Sequence, residues 1–173
     1  MLTSVDWQIR QASTEDVELI EKLGKEVFSI TYREMLSAEQ LAYMIEMMYA
    51  PEVVMREIES GVAWFIAEYE GKPCGYISVE REEEQRFHLH KIYLHPTFQG
   101  HGFGEKLFQH AVNYIRSVCS KPCMMELNVN RDNSRALAFY ERMGMRCLLK
   151  EDFPIGNGFY KTDYIMGLDI ETR

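Results

Sequence analysis

The chain is short of basic residues, poor in cysteine and without any long apolar run. Its 19 lysines and arginines are outnumbered by 27 aspartates and glutamates, leaving a net charge of −8. A nucleic-acid partner needs a basic face for its phosphates, so that class is excluded. Four cysteines, Cys74, Cys119, Cys123 and Cys147, lack the dense spacing of a disulfide scaffold. Cys119 and Cys123 have no second Cys/His pair at zinc-finger distance, so no metal is expected. The most apolar short run, Val62 to Ala67, is far too brief to cross a bilayer. The start MLTSVDWQIRQ has neither the basic opening nor the apolar stretch of a secretory leader. The expectation is a cytoplasmic protein with no membrane and no nucleic-acid partner.

What is present is an ordinary globular mixture, 46% hydrophobic, 12% aromatic and 27% charged over 173 residues, with no linker, repeat or low-complexity tract. A single domain over 1–173 is expected. A strand-like start, Trp7 to Arg10, leads to Ser13-Thr14-Glu15-Asp16, in which Ser13 caps a helix and Asp16 reaches back. Val17, Ile20, Leu23 and Val27 then recur at helical spacing. Ser37 opens a second helix, Pro51 suits the first turn of a third, and Gly61 suits its exit.

From Val62 the period becomes that of strands. Val62 to Tyr69 and Cys74 to Glu80 read as a hairpin about Glu70-Gly71-Lys72-Pro73, and the charged Arg81 to Arg86 as a solvated loop. His88 to Leu94 is a further strand, stopped by His95-Pro96. After the next loop a helix places Leu107, Phe108, Ala111, Val112, Ile115, Val118 and Cys119 on its inner face. A strand from Met124 to Val129 precedes a helix capped by Asp132 or Asn133, with Ala136, Phe139, Tyr140 and Met143 inward and Gly144 as its stop. Arg146 to Phe153 and Phe159 to Leu168 are the last strands, joined through Ile155-Gly156-Asn157-Gly158. The order predicts an α/β (α+β) fold with a mixed, mostly antiparallel sheet of six to seven strands and helices on both faces.

The segment with the most chemical content is Gln99-Gly100-His101-Gly102-Phe103-Gly104, set between a strand and a helix. Unpaired N–H groups of such a loop and of the first helical turn, with the helix dipole, favour a phosphate or pyrophosphate. A nucleotide-hydrolysing loop would end in Gly-Lys-Ser/Thr, whereas this one continues Gly104-Glu105-Lys106-Leu107. A dinucleotide fingerprint lacks its third glycine. The pattern left is Q-x-x-G-x-G, with Gln99, Gly102 and Gly104 in register.

Ile92-Tyr93-Leu94-His95-Pro96 directly before this loop, and Asn133-Ser134-Arg135-Ala136-Leu137-Ala138-Phe139-Tyr140 with Gly144 after it, complete a three-part pattern. Together these segments resemble the GNAT superfamily of N-acetyltransferases, which use acetyl-CoA. The resemblance implies that backbone groups of Ile92, Tyr93 and Leu94 receive the pantetheine arm. It implies likewise that the amides of Gly100, His101, Gly102, Phe103, Gly104 and Glu105, next to Gln99, hold the pyrophosphate. Asn133 would contact the cofactor and Tyr140 would stand beside the thioester sulfur. The helices from Val17 to Met48 would wall the acceptor pocket, with Tyr32 and Tyr160 as aromatic lining.

For such a transfer the amine must lose a proton, and Glu80, His88 and His90 are the candidate bases, Glu80 and His90 being carried forward with Tyr140 as the catalytic set. His88 and His90 project from one strand face, a pairing that suits either two metal ligands or two partly buried, hydrogen-bonded histidines; no third ligand is evident in the sequence. The expected acceptor is a small primary amine; a polyamine is one case, which the acidic charge suits and which is implied by the resemblance of the tail from Ile155 to Met166 to bacterial relatives that acetylate polyamines and other small amines. A protein N-terminus or lysine, and a regulatory module that binds acyl-CoA without turnover, are the alternatives. Exposed strand edges near the C-terminus could pair two chains as a homodimer.

Overall fold

The computed structural model describes residues 2–171. Its strands are β1 (Trp7–Gln11), β2 (Ala63–Tyr69), β3 (Lys72–Glu83), β4 (Arg86–Leu94), β5 (Cys123–Asn130), β6 (Arg146–Gly156) and β7 (Phe159–Ile170). Its helices are α1 (Val17–Tyr32), α2 (Ala38–Tyr49), α3 (Pro51–Glu59), α4 (Phe103–Val118) and α5 (Ser134–Arg142). The seven strands follow the order β1-β2-β3-β4-β5-β7-β6. The pairs β1–β2, β2–β3, β5–β7 and β6–β7 are antiparallel and β4–β5 is parallel, so the sheet is mixed and mostly antiparallel as predicted.

The chain divides into two compact units: Met1–Glu80 with Lys91–Ala111, and Arg81–His90 with Val112–Arg173. In the first unit the predicted capping box forms. Ser13 accepts from the Glu15 N–H, and the Asp16 carboxylate accepts from the Ser13 N–H at 2.9 Å. Arg10 donates to Asp16 at 2.8 Å and to Glu68 at 2.6 Å; the Arg10 bond to Asp16, with the Ser13 N–H, holds the Asp16 carboxyl below its ordinary range. The β2–β3 turn is tighter than predicted: Tyr69 pairs with Lys72, and Glu70 (φ 50°) and Gly71 (φ 78°) are its two left-handed residues. Behind the hairpin, Phe28, Tyr49, Trp64 and Tyr76 make a buried aromatic core, with a 2.6 Å hydrogen bond joining the Tyr49 and Tyr76 hydroxyls. Gly24 lies where a Cβ would come within 2.3 Å of the Tyr49 ring, so only glycine lets α1 pass that ring.

In the second unit β5 alternates, with Cys123, Met125, Leu127 and Val129 buried, and it pairs with β7 from Cys123↔Ile170 to Asn130↔Asp163. Asn157 (φ 55°) and Gly158 (φ 77°) turn β6 into β7, a shorter loop than the four residues predicted. Two readings need correction. Arg81 to Arg86 is not a loop, because β3 continues to Glu83 and β4 begins at Arg86, leaving Glu84-Gln85 as the turn. Arg81 organises it, donating to the Glu84 carbonyl at 2.7 Å and the Val118 carbonyl at 3.2 Å while its guanidinium lies over the Phe87 ring. Charged side chains there stay in water while the backbone completes its ladder, so polarity alone misleads. Val118 is 41% exposed rather than inward, because α4 ends at that residue.

Gly24→Ala should cost about 1–3 kcal/mol by overpacking against the Tyr49 ring. Urea unfolding of that variant beside Gly61→Ala, at a left-handed position with open space around it, will separate crowding from backbone strain.

Candidate functional site

The first unit carries the strand–loop–helix segment. β4 ends at Leu94, and a 3-10 turn, Pro96–Phe98, follows. His95 governs this exit. Its N–H donates to the Cys74 carbonyl at 2.8 Å, its Nδ1 accepts from the Thr97 N–H at 3.2 Å, and its Nε2 lies 3.2 Å from Glu26. The Gln99 side-chain amide donates back to the Leu94 carbonyl at 3.3 Å, so Gln99 braces the loop from inside. Gly100 and Gly102 both have φ near +83°, and a Cβ at either would meet nothing within 4 Å. Glycine is needed there for the backbone turn, and the space above the loop is open. The first turn of α4, at Phe103, Gly104 and Glu105, presents N–H groups that no helical carbonyl reaches. Open left-handed glycines followed by a helix N-terminus fit a pyrophosphate.

The Phe103 side chain does something the sequence did not reveal. It is buried, with its ring stacked on Trp7 at 4.4 Å and 11° and 5.7 Å from Tyr69, which in turn meets Phe98 at 5.5 Å. His101 is 6.1 Å from Phe103. An apolar stack thus anchors the loop. Gly75 adds a second constraint, because a Cβ there would lie 2.7 Å from the Tyr93 carbonyl.

Of the strand residues, Ile92 and Tyr93 are half-buried and Leu94 is buried. The Tyr93 hydroxyl lies 3.3 Å from that of Tyr32, and the Phe28 ring packs on both, so two residues proposed for different tasks share one aromatic cluster. Lys91, also buried, places its ammonium 5.0 Å from the Trp64 ring and 5.7 Å from that of Tyr49. Glu80 is half-buried on β3.

The second unit carries the remaining candidates. Asn133, not Asp132, caps α5: its Oδ1 accepts from the Ala136 N–H at 3.2 Å, leaving the amide NH₂ as the group able to donate to a ligand. Tyr140 is buried on the same helix, 5.5 Å from the Phe139 ring, while Ala136, Phe139 and Met143 are half-buried. Tyr160 is exposed on β7. His90 is exposed and stacks on His88 at 4.5 Å. Burial, then the neighbouring His90, push His88 down to about 4, so it stays neutral at pH 7 and is a weak proton acceptor. Burial likewise pushes the thiols of Cys74 and Cys123 up to about 12 and about 11, which makes neither a nucleophile.

Residues 26–145 match the acetyltransferase (GNAT) family. The chain belongs to that family. It is 24% identical over 167 residues to an uncharacterised N-acetyltransferase of Lactobacillus delbrueckii subsp. lactis, covering 92% of this chain and 95% of that one. It is 30% identical over 97 residues to an uncharacterised N-acetyltransferase of Methanocaldococcus jannaschii, a match spanning 53% of this chain and only 41% of its relative. Among solved structures, the PaiA N-acetyltransferase of Thermoplasma acidophilum, in complex with coenzyme A, superposes with a TM-score of 0.76 at 23% identity, covering 96% of this chain and 99% of that one. A putative acetyltransferase of Salmonella typhimurium with acetyl-CoA gives 0.67 at 15%, covering 97% and 96%. These likenesses confirm the fold expected from the sequence.

Phe103→Ala should lower stability by about 3–5 kcal/mol, whereas His101→Ala should change it by less than about 1 kcal/mol. Chemical denaturation of both variants checks whether the buried ring or the half-buried His101 carries the anchor.

Proposed function

We propose that this protein is an acetyl-CoA-dependent N-acetyltransferase acting on a primary amine of a small molecule, within the cytoplasm. The observation that carries the reading is the loop at Gly100–Gly104: left-handed glycines with open space above them, leading into a helix N-terminus, in a chain of this family. When bound, acetyl-CoA supplies an activated acetyl thioester. The amides from Gly100 to Glu105 hold the pyrophosphate, and backbone groups of Ile92 to Leu94 orient the pantetheine arm.

An alkylammonium with a pKa near 10.4 is only about 0.04% neutral at pH 7, so removing its proton costs about 4.6 kcal/mol. Glu80 and His90 are the proposed acceptors of that proton, directly or through water; the low basicity of His88 removes it from this role. Tyr140 donates a hydrogen bond to the departing sulfur. Full proton transfer from a phenol near 10 to a thiolate near 8.5 would be uphill by about 2 kcal/mol, so donation rather than transfer is the step assigned. Asn133 offers its amide NH₂ to the cofactor, and Tyr32 and Tyr160 line the acceptor side. No enzyme-bound acyl group is needed, in keeping with the raised thiols of Cys74 and Cys123.

Among the described residues no helix is long and apolar enough to cross a membrane. The net charge of −8 favours a cationic acceptor through its long-range field. One similar protein is a peptidyl-lysine N-acetyltransferase of Salmonella typhimurium, 25% identical over 95 residues, covering 55% of this chain and 57% of that one, which makes peptides the necessary comparison.

Thiol release from acetyl-CoA over a panel of small amines, polyamines and lysine peptides tests the reading. Small amines should be the better substrates, and Tyr140→Phe should reduce kcat by about 10²-fold with little change in the KM for acetyl-CoA. Release with peptides alone would transfer the assignment to protein modification, and tight acetyl-CoA binding without release from any amine would leave a binding module. For a polyamine acceptor, raising salt from 0.05 to about 0.5 M should raise KM several-fold as the acidic field is screened, with kcat unchanged.

A further inference from the structure

The second unit contains a side-chain cluster that acetyl transfer does not use. The parallel β4–β5 register sets His88 opposite Glu126. Glu82, near the end of β3, reaches the same place, with its Oε1 at 3.5 Å from His88 Nδ1. One His88 nitrogen and one carboxylate oxygen from each of Glu82 and Glu126 lie within 4.8 Å of one another. All three positions belong to strands, so the backbone fixes their spacing. The His88 ring is held on one side by the His90 ring at 4.5 Å and 28°, and its side chain is only 13% exposed. On β5, two residues beyond Glu126, Asn128 donates to the buried Asp163 at 3.2 Å. Asn128 also hydrogen-bonds to His88; Lys161, whose charge reaches His88, pairs with Asp163 at 3.4 Å, and Arg86 pairs with Glu83 at 3.0 Å.

We propose that Glu82, His88 and Glu126 form a binding site for a divalent transition-metal ion of the zinc type. One imidazole nitrogen and two carboxylate oxygens make a donor set suited to Zn²⁺, Co²⁺ or Mn²⁺, whereas Ca²⁺ and Mg²⁺ prefer oxygen alone. An ion about 2.0–2.2 Å from each donor keeps the donors about 3–4.3 Å apart. From the outer limit of 4.8 Å this is a contraction of about 0.5–1.8 Å, which rotation of two long glutamate side chains supplies. The two carboxylates balance the ion's charge, and three protein donors leave a coordination position for water or an amine. The site does not depend on the acetyl-transfer reading.

The test is titration of chelator-treated full-length protein with Co²⁺, followed by absorption, and with Zn²⁺, followed by calorimetry. The expected result is one ion per chain, with visible cobalt bands and no thiolate-to-cobalt charge-transfer band in the near ultraviolet, which excludes the four cysteines. Glu82→Gln and Glu126→Gln should each weaken binding by at least about tenfold. Thermal melting without metal establishes that each variant is folded, and Zn²⁺ should raise the melting temperature of the unaltered protein but not of the double variant. If one variant fails to fold, the other decides. No binding at millimolar Co²⁺, a thiolate band, or unchanged affinity in a folded Glu82→Gln or Glu126→Gln variant would overturn the proposal.

Discussion

A loop that is to offer its amides to an anion, as proposed for the one after β4, gives up the contacts by which loops usually hold themselves in place. Gly100 and Gly102 are the cost of this: their left-handed conformations need glycine, and glycine has no side chain with which to anchor. Rigidity comes instead from residues behind the loop. Phe103 stacks on Trp7 and meets Tyr69 at a tilt, Gln99 bonds back to the Leu94 carbonyl, and His95 joins the loop to Thr97 and Glu26. An anion site made from main-chain dipoles acts through preorganisation, since a floppy loop would spend much of its binding energy on ordering itself. The buried aromatics of the first unit are in this sense part of the proposed anion site without touching a ligand.

The local rules that the sequence obeys made much of this fold readable in advance. The Ser13–Asp16 box, the Asn157-Gly158 turn, the alternation of β5 and the stop at Gly144 each follow from chemistry confined to a few neighbouring residues. The errors came where a distant partner overrides local character. Arg81 to Glu83 are charged and exposed, yet extended, because a carbonyl of Glu84 and another of Val118 recruit the Arg81 guanidinium. Phe103 read as one more loop amide, because nothing nearby in sequence announces Trp7, 96 positions earlier, as its stacking partner.

The same distinction explains what was legible at the site. The segment proposed to bind the pyrophosphate is contiguous, so its glycines and following helix mark it without a fold. The candidate bases are different in kind. His88 and His90 could be paired by strand periodicity alone, but the basicity of His88 depends on how deeply it is buried, which only the folded chain reveals. Glu80 and Tyr140 take their proposed roles from chemistry and from the family pattern, and spacing alone would give Tyr140 to core packing beside Phe139.

Parallel pairing matters most for what the sequence could not disclose. His88 and Glu126 are 38 residues apart, and the helix α4 lies between them in the chain. A shift of β5 by one residue against β4 would move every β5 side chain to the opposite face, separating the imidazole from the carboxylate and destroying the three-donor arrangement with Glu82. The inward set Cys123, Met125, Leu127 and Val129 resists such a slip, because it would put four buried side chains into water and Met124, Glu126, Asn128 and Asn130 into the core. Apolar burial on one face of β5 thereby fixes the position of a carboxylate on the other. The acidic and imidazole groups gather as a consequence of core packing, which is why charge patterning along the chain gave no sign of them.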